Sequence, residues 1–434
     1  MITTTRILLV AAAALSLSAC DFLDQEPETA ISNEAVFTGP SGAEAAINGA
    51  YNRTQAPMDD MVIFGDLAAE TADHTGSFPS WSEIDLHNIP TGNPEVSQQY
   101  TSWYALINQA NLIIENVGST PGLAEARARQ IRGEALALRA FAHHNLVRWF
   151  GAVPIVLNAV TPLDSANVAR DPVDAVYDQI LADLQAAEGL VAESRTVGFI
   201  DRDVVRALRA RVLLYDGQFE AAGALASDLA EDYPLVDLES LYGSLNSSES
   251  IWELQYTTDD SNAMAFFGFV NGGRNEYSPS ATAVDLYEAG DGRLDWAFAV
   301  DEETVVVGKY FRVNTGADHH FLIRGAEMVL IAAEAAARDD DYDETVRLVN
   351  LVRTRAGASE IDEDSIDSQS EALDLVLAER ARELIFEGHR WHDLVRTGRA
   401  VSTLETLVSE NFTRWPIPQR ELDVNEALQQ NPGY

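Results

Sequence analysis

Residues Ala207–Pro234 read ALRARVLLYDGQFEAAGALASDLAEDYP. Leu208, Ala210, Leu213 and Leu214 lie on one apolar helical stripe, Asp216-Gly217 breaks it, and Phe219, Ala222, Leu225 and Leu229 form a second stripe that Pro234 stops. Recurrence near every third or fourth residue marks an amphipathic helix, and Gly and Pro punctuate it. The stretch therefore predicts a helix, a tight turn and a second helix, with small residues where helices cross.

A second copy occurs at Ile331–Gly357, IAAEAAARDDDYDETVRLVNLVRTRAG, with Tyr342 where Phe219 stands and Leu348 where Leu225 stands. Each copy resembles a tetratricopeptide unit, a helical pair that buries its apolar face only by stacking on neighbours. Further amphipathic helices are predicted over Tyr104–Val117, Leu123–Phe150, Tyr177–Leu190 and Leu373–Val395, and Ala43–Tyr51 opens the series. The expected fold is mainly α, a superhelix of tetratricopeptide-like helical pairs. Such stacks present extended surfaces suited to binding.

Two inserts interrupt the helical texture. Residues 73–97 contain SFPSWSEIDLHNIPTGNP, and residues 241–320 contain the alternating IWELQY, the glycine- and aromatic-rich AFFGFVNGGRNEYSPS and a β-favouring run over Thr304–Val313. Loops on a rigid frame commonly carry specificity.

At the N-terminus, Arg6, the apolar run Ile7–Leu15 and the small residues before Cys20 have the layout of a signal peptide. The run is shorter than the roughly 20 apolar residues a spanning helix needs. Cys20 is the only cysteine, so no disulfide or thiolate metal site competes for it, and Leu17-Ser18-Ala19-Cys20 resembles a lipobox. The expected organisation is a signal peptide over 1–19, a lipidated acidic tether over 20–30 and one binding domain over 31–434. Each buried lipid CH₂ contributes about 0.8 kcal/mol, so palmitate-type acylation of Cys20 would hold the chain on a membrane.

Asp and Glu number 69 against 29 Lys and Arg, a formal net charge of −40. Cleavage after Ala19 would remove Arg6 and give −40 − 1 = −41. Lys309 is the only lysine. Nucleic-acid binding needs a basic face, which this composition excludes. An acidic, lysine-poor chain fits a halophilic-type proteome, where the Debye length falls to about 3 Å at 1 M salt and self-repulsion is screened.

No G-x-S-x-G elbow, H-E-x-x-H pair or Walker loop is present, and no catalytic site is expected. Asp339, Asp341 and Asp343 have the odd spacing of a calcium loop, but Glu344 and Asn350 stand where its glycine and bidentate Glu belong. A turn between repeat helices is the expected reading. His389 and His392, with Asp393, lack a third ligand at metal-site spacing. They are read as structural, like His143-His144 and His319-His320, and no metal or other cofactor is expected.

The C-terminal third, ERARELIFEGHRWHDLVRTGR over Glu379–Arg399 and RWPIPQRELDVNEALQQNPGY over Arg414–Tyr434, resembles the closing signature of the SusD/RagB family of nutrient-binding outer-membrane lipoproteins. RGEALALRAFAHHNLVRWFGAVPIV, Arg132–Val156, and FTGPSGAEAAINGAYN, Phe37–Asn52, match the family as well. Arg380, Arg382, Glu383, Glu387, Arg390 and Asp393 are expected to pair along one helix, with Trp391 as a packing anchor and Trp415–Gln419 held extended by Pro416 and Pro418.

The resemblance implies a lipoprotein on the outer membrane, facing the exterior. Such a protein caps a TonB-dependent SusC-like transporter and captures a glycan or a peptide without cleaving it. Glycan capture needs aromatic faces flanked by a few polar groups. The residues of suitable type are Asp73, His74, Trp81 and Asn88 in the first insert and Phe267, Phe269, Asn271, Arg274 and Tyr277 in the second. Core packing competes for every aromatic among them; Trp81 and Tyr277 are favoured for binding because they lie among Ser, Pro and Gly. A periplasm-facing repeat scaffold for envelope assembly and a surface glycoside hydrolase are the alternatives.

Overall fold

The structure, a computed structural model, describes residues 36–159, 167–193 and 198–434. The expected signal peptide, Cys20 and the tether lie outside the described residues. Three helices open the fold: α1 (Pro40–Ala68), α2 (Pro79–Asp85) and α3 (Pro94–Asn116), each with proline in its first turn, where a missing N–H is tolerated. Asn93 caps α3 by accepting the Glu95 and Val96 N–H groups. Helix α4 (Glu125–Phe150) is buried along nearly its whole length and ends at Gly151, φ +70°. Helix α5 (Val173–Glu188) packs beside it.

The two repeat units form as read. Helices α6 (Arg202–Tyr215) and α7 (Phe219–Asp232) make the first pair, α8 (Gly325–Arg338) and α9 (Tyr342–Ala356) the second. Helix α7 crosses α8 where Gly223 meets Ala335, and a Cβ on Gly223 would lie 2.5 Å from the Ala335 Cβ. Asp341 caps α9 through the Glu344 N–H, and Gly357 ends it in the left-handed region. The aspartates spaced like a calcium loop thus sit at a helix turn.

Leu373–Val395 is not one helix. Helix α10 (Gln369–Glu383) stops, and α11 (Arg390–Arg396) starts after a turn with Phe386 at φ +56° and Gly388 at φ +76°. Tertiary contacts impose the break. The Phe386 N–H donates to the buried Asp66 carboxylate, and the backbone at Gly388 lies so close to α1 that a Cβ on Gly65 would be 3.1 Å from its Cα. The ion pairs expected along one helix do not form as read: Arg380 reaches Asp393 across the turn, Arg382 pairs with Glu379 instead, and Glu383 and Glu387 turn to Arg324, far away in sequence.

Among the described residues, six short strands make three two-stranded sheets: β1 (Ala72–His74) with β3 (Tyr277–Pro279), β2 (Ser250–Leu254) with β6 (His320–Arg324), and β4 (Phe298–Asp301) with β5 (Thr304–Val307), all antiparallel. Strand β2 is buried on both faces, so its alternating sequence marks no solvent side. Nor is the first insert all loop, since it holds β1, α2 and the start of α3. The core runs through Trp149, Trp391 and Trp415. The Trp149 and Trp415 ring centroids are 3.9 Å apart, and the extended C-terminal segment hangs on α4 by a Trp415 N–H bond to the Trp149 carbonyl. His143, His144, His389 and His392 are buried rings whose burial lowers their pKa.

Asp66 ties α1 to the α10–α11 turn. Burial raises its pKa, against hydrogen bonds from Thr71 and Phe386 and the charge of Lys309, to about 7. Between the unfolded value near 3.8 and about 7, the native state binds the extra proton. Stability from this group is therefore full below the unfolded value and is lost as pH rises through about 7. Asp66→Asn keeps an acceptor for Thr71 and Phe386 and is expected to flatten the fall in Tm from pH 5 to pH 8, raising stability at pH 8 by roughly 1–4 kcal/mol. Thermal melts of both proteins at the two pH values check this; an unchanged slope sinks it.

Candidate functional site

The two inserts, about two hundred residues apart in sequence, meet in one place. Strand β1 pairs with β3 so that Asp73 faces Ser278 and His74 faces Tyr277. Past the strands, Glu276 holds the loops together: its carboxylate accepts the Ser77 N–H at 2.6 Å, the Ser77 hydroxyl at 3.2 Å and the Arg274 Nε–H at 2.9 Å. Burial works against the charge on Glu276, yet the Ser77 and Arg274 hydrogen bonds outweigh it and hold the pKa below the ordinary carboxylate value. Thr75 adds an N–H bond to the Glu276 carbonyl and a hydroxyl bond to the Asn275 carbonyl, and His74 Nδ1 lies 2.8 Å from the Glu276 carbonyl.

Beside this frame an aromatic cluster packs, its rings tilted or edge to face. Trp81 lies 5.2 Å from Phe78, 5.2 Å from Phe267 and 5.5 Å from Phe64, centroid to centroid. Trp81 is 3% exposed and Tyr277 1%; Tyr277 lies against Gly268, its hydroxyl 3.5 Å from the Met264 carbonyl. The preference for these two as binding rings is corrected. Their Ser, Pro and Gly neighbours belong to turns that fold back over the core, and both rings are packed inside it.

Other rings face outward. The short helix Met264–Gly268 buries Met264, Ala265 and Gly268 and leaves Phe266 40% exposed beside half-buried Phe267. The Arg274 guanidinium lies 4.6 Å from the Phe78 ring centroid. Phe311, also 40% exposed, carries the Arg312 guanidinium over its ring at 4.5 Å, while Arg312 pairs with Asp318. The loop around Gly272, φ +79°, brings Asn271 to this side. Val313 lies against Gly272, and the Val270 and Asn271 N–H groups both donate to Asp301 at the β4–β5 turn.

Of the nine residues read from the sequence, the structure gathers Asp73, His74, Trp81, Phe267, Phe269, Asn271, Arg274 and Tyr277 into this joined region. Asp73, Asn271 and Arg274 are exposed, His74, Phe267 and Phe269 half-buried. Burial, with the charge of Glu70 second, raises the Asp73 pKa. Asn88 stands apart: its N–H closes the end of α2 on the Glu83 carbonyl, beside His87, whose ring stacks on Trp391. Sequence reading missed Phe78, Phe266, Phe311, Ser77 and Glu276. A five-residue helix is too short for periodicity to separate outward Phe266 from inward Phe267, and nothing local marks Glu276 as a clamp. Chemically, the surface offers ring faces, two guanidinium groups and short polar side chains.

Comparison with known proteins bears on what such a surface serves. Residues 21–214 match a family described as starch-binding and associating with the outer membrane, and residues 302–434 match the SusD family. Two SusD-like proteins of Formosa agariphila are 27% and 26% identical, with 96% of this chain and 96% of the first, and 97% of this chain and 98% of the second, covered. A laminarin-binding SusD-like protein has the same fold, with TM-score 0.82, 22% identity, and 92% of this chain and 100% of that chain covered. A SusD-like carbohydrate-binding protein from Bacteroides vulgatus superposes with TM-score 0.73 at 25% identity, covering 83% of this chain and 84% of that one.

Proposed function

Because this chain belongs to the SusD family and its residues 21–214 match a family described as starch-binding and associating with the outer membrane, we propose that it captures a glycan on the surface built by its two joined inserts and passes it on uncleaved. The single observation that supports this most is the joining itself. Two inserts remote in sequence are clamped through Glu276 into one frame, and the frame presents Phe266, Phe311 and the Phe78–Arg274 stack outward. Aromatic faces take the apolar side of sugar rings, and Asp73, Ser77 and Asn271 supply hydroxyl partners. Delivery goes to a TonB-dependent, SusC-like barrel, with Cys20 lipidated and the domain facing the exterior.

The carbohydrate-binding relative of like fold favours a glycan over a peptide. A panel of polysaccharides that includes starch and laminarin, run against the purified protein by affinity electrophoresis and calorimetry, is expected to give one saturable ligand class with no shortening of the polymer. Pull-down of the tagged, lipidated protein from outer membranes is expected to recover a large β-barrel in near-equal amount. Binding of peptides alone, polymer shortening, or recovery of envelope-assembly proteins in place of the barrel would each overturn the corresponding part.

A further inference from the structure

Arginines in this chain are ordinarily matched by carboxylates: Arg139 by Asp183, Arg211 by Glu327, Arg324 by Glu249, Glu383 and Glu387. One cleft gathers two arginines that have no such match. Of about 250 Å³, it opens where the C-terminal ends of α4 and α6, the first turn of α5, helix α11 and Arg414 converge. Its polar lining is Arg148, Tyr177, Tyr215, His392, Arg396 and Arg414, and no carboxylate lines it.

Arg396 is neutralised by Glu334 at 2.6 Å and Asp393 at 2.8 Å. Arg148 and Arg414 are not: among the described residues neither has an ion pair. Arg148 donates to the Asn145 side-chain oxygen, and its Nε–H, shielded from solvent, has no partner in the protein. Its guanidinium lies 5.7 Å from the Tyr215 ring centroid, and that of Arg396 5.4 Å from the same centroid. The Tyr215 hydroxyl has no close partner beyond the neighbouring Arg148, His392 Nε2 has none, and the His392 ring is 2% exposed. Burial, then the charge of Arg148, keeps His392 below its ordinary pKa, so its ring is neutral at pH 7. Arg414 fits over Gly151, where a Cβ would lie 2.1 Å from its Nη1. Asp216, whose charge acts on Tyr177, takes the Gln218 side chain.

An unmatched guanidinium partly shielded from water favours an anion beside it, and the planar fork of arginine suits oxyanions above other partners. The cleft thus concentrates uncompensated positive charge and unused hydrogen-bonding groups in a chain of net charge −40. We propose that it binds the oxyanion group, carboxylate, sulfate or phosphate, of a small molecule no larger than about one sugar unit. It shares no residue with the insert surface, so it stands or falls apart from the glycan reading.

Isothermal titration of the full chain with sodium sulfate, sodium phosphate and sodium glucuronate, at ionic strength matched with NaCl and at pH 7, tests this. One-site saturable binding is expected, weakened at least tenfold by Arg148→Gln and by Arg414→Gln. Arg414 is exposed, so its variant reports even if replacement at Arg148 disturbs folding. Binding of inorganic anions marks the site as reading the oxyanion alone, and binding of glucuronate alone marks it as reading an acidic sugar. No saturable heat with any of the three, or affinities unchanged in both variants, overturns the proposal.

Discussion

Glu383→Ala is expected to lower stability by about 3–5 kcal/mol, the cost of removing one partner from a buried ionic cluster. For a chain of roughly 400 residues that is a fall in Tm of roughly 4–6 °C. Glu383, at the end of α10, receives Arg324 at 2.5 Å, Arg293 at 3.1 Å and a close contact from Arg355. The cluster continues through Glu249, Asp291, Glu379 and Glu387, and it contains the only lysine, Lys309, paired with Glu387 at 2.5 Å. The side chains of Glu383, Arg324 and Arg293 are at most 2% exposed. Alanine would leave three guanidinium groups short of one counter-charge where water cannot replace it.

Burial by itself would raise the Glu383 pKa, yet Arg355, Arg324 and Arg293 hold it well below the ordinary value. Its stabilisation is therefore present above the unfolded carboxylate value and lost only as pH falls through the depressed native one. The gap between wild type and variant should be full at pH 7, narrow only in strong acid, and persist in molar NaCl, because a buried cluster is screened far less than surface pairs. Melts at both salt levels check this, and equal Tm values at pH 7 would refute it.

Glu276→Ala is expected to weaken glycan binding tenfold or more, a loss of about 1.4 kcal/mol or greater. It frees the Ser77 N–H and the Arg274 side chain together and so unclamps both inserts at once. Arg274 is 42% exposed along its side chain, so water can take over its bonds, and the stability cost should stay near 1–3 kcal/mol. Phe266→Ala, a truncation at the surface, is expected to reduce affinity roughly 3- to 30-fold with no change in Tm. Calorimetry with whichever polysaccharide the wild type binds, paired with melts, separates loop disorder from loss of a contact. Unchanged affinity in both variants would remove the insert surface from the binding site.

Much of this was legible beforehand. The pairs α6–α7 and α8–α9 show in the spacing of Leu208, Leu213, Phe219, Leu225, Tyr342 and Leu348, because a two-turn periodicity needs only local sequence. The insert boundaries show in the same way, by its absence. What failed, failed for want of distant contacts. Trp81 and Tyr277 sit in loop-like sequence but are covered by Phe64, Phe267 and Gly268, and the helix expected through Leu373–Val395 breaks because Asp66 and Gly65 of α1 reach the Phe386–Gly388 turn.

By itself, then, the sequence determined the helical-repeat class, the places where that scaffold is interrupted and the acidic, lysine-poor character, all of which follow from composition and short-range pattern. Only the tertiary structure decided which aromatic faces solvent, which carboxylate clamps the inserts and which arginine is left without a counter-charge. Those properties belong to pairs of groups. Whether Phe266 or Trp81 is open depends on what the chain folds against it, and a side chain's partner two hundred residues away leaves no mark on its neighbours in sequence.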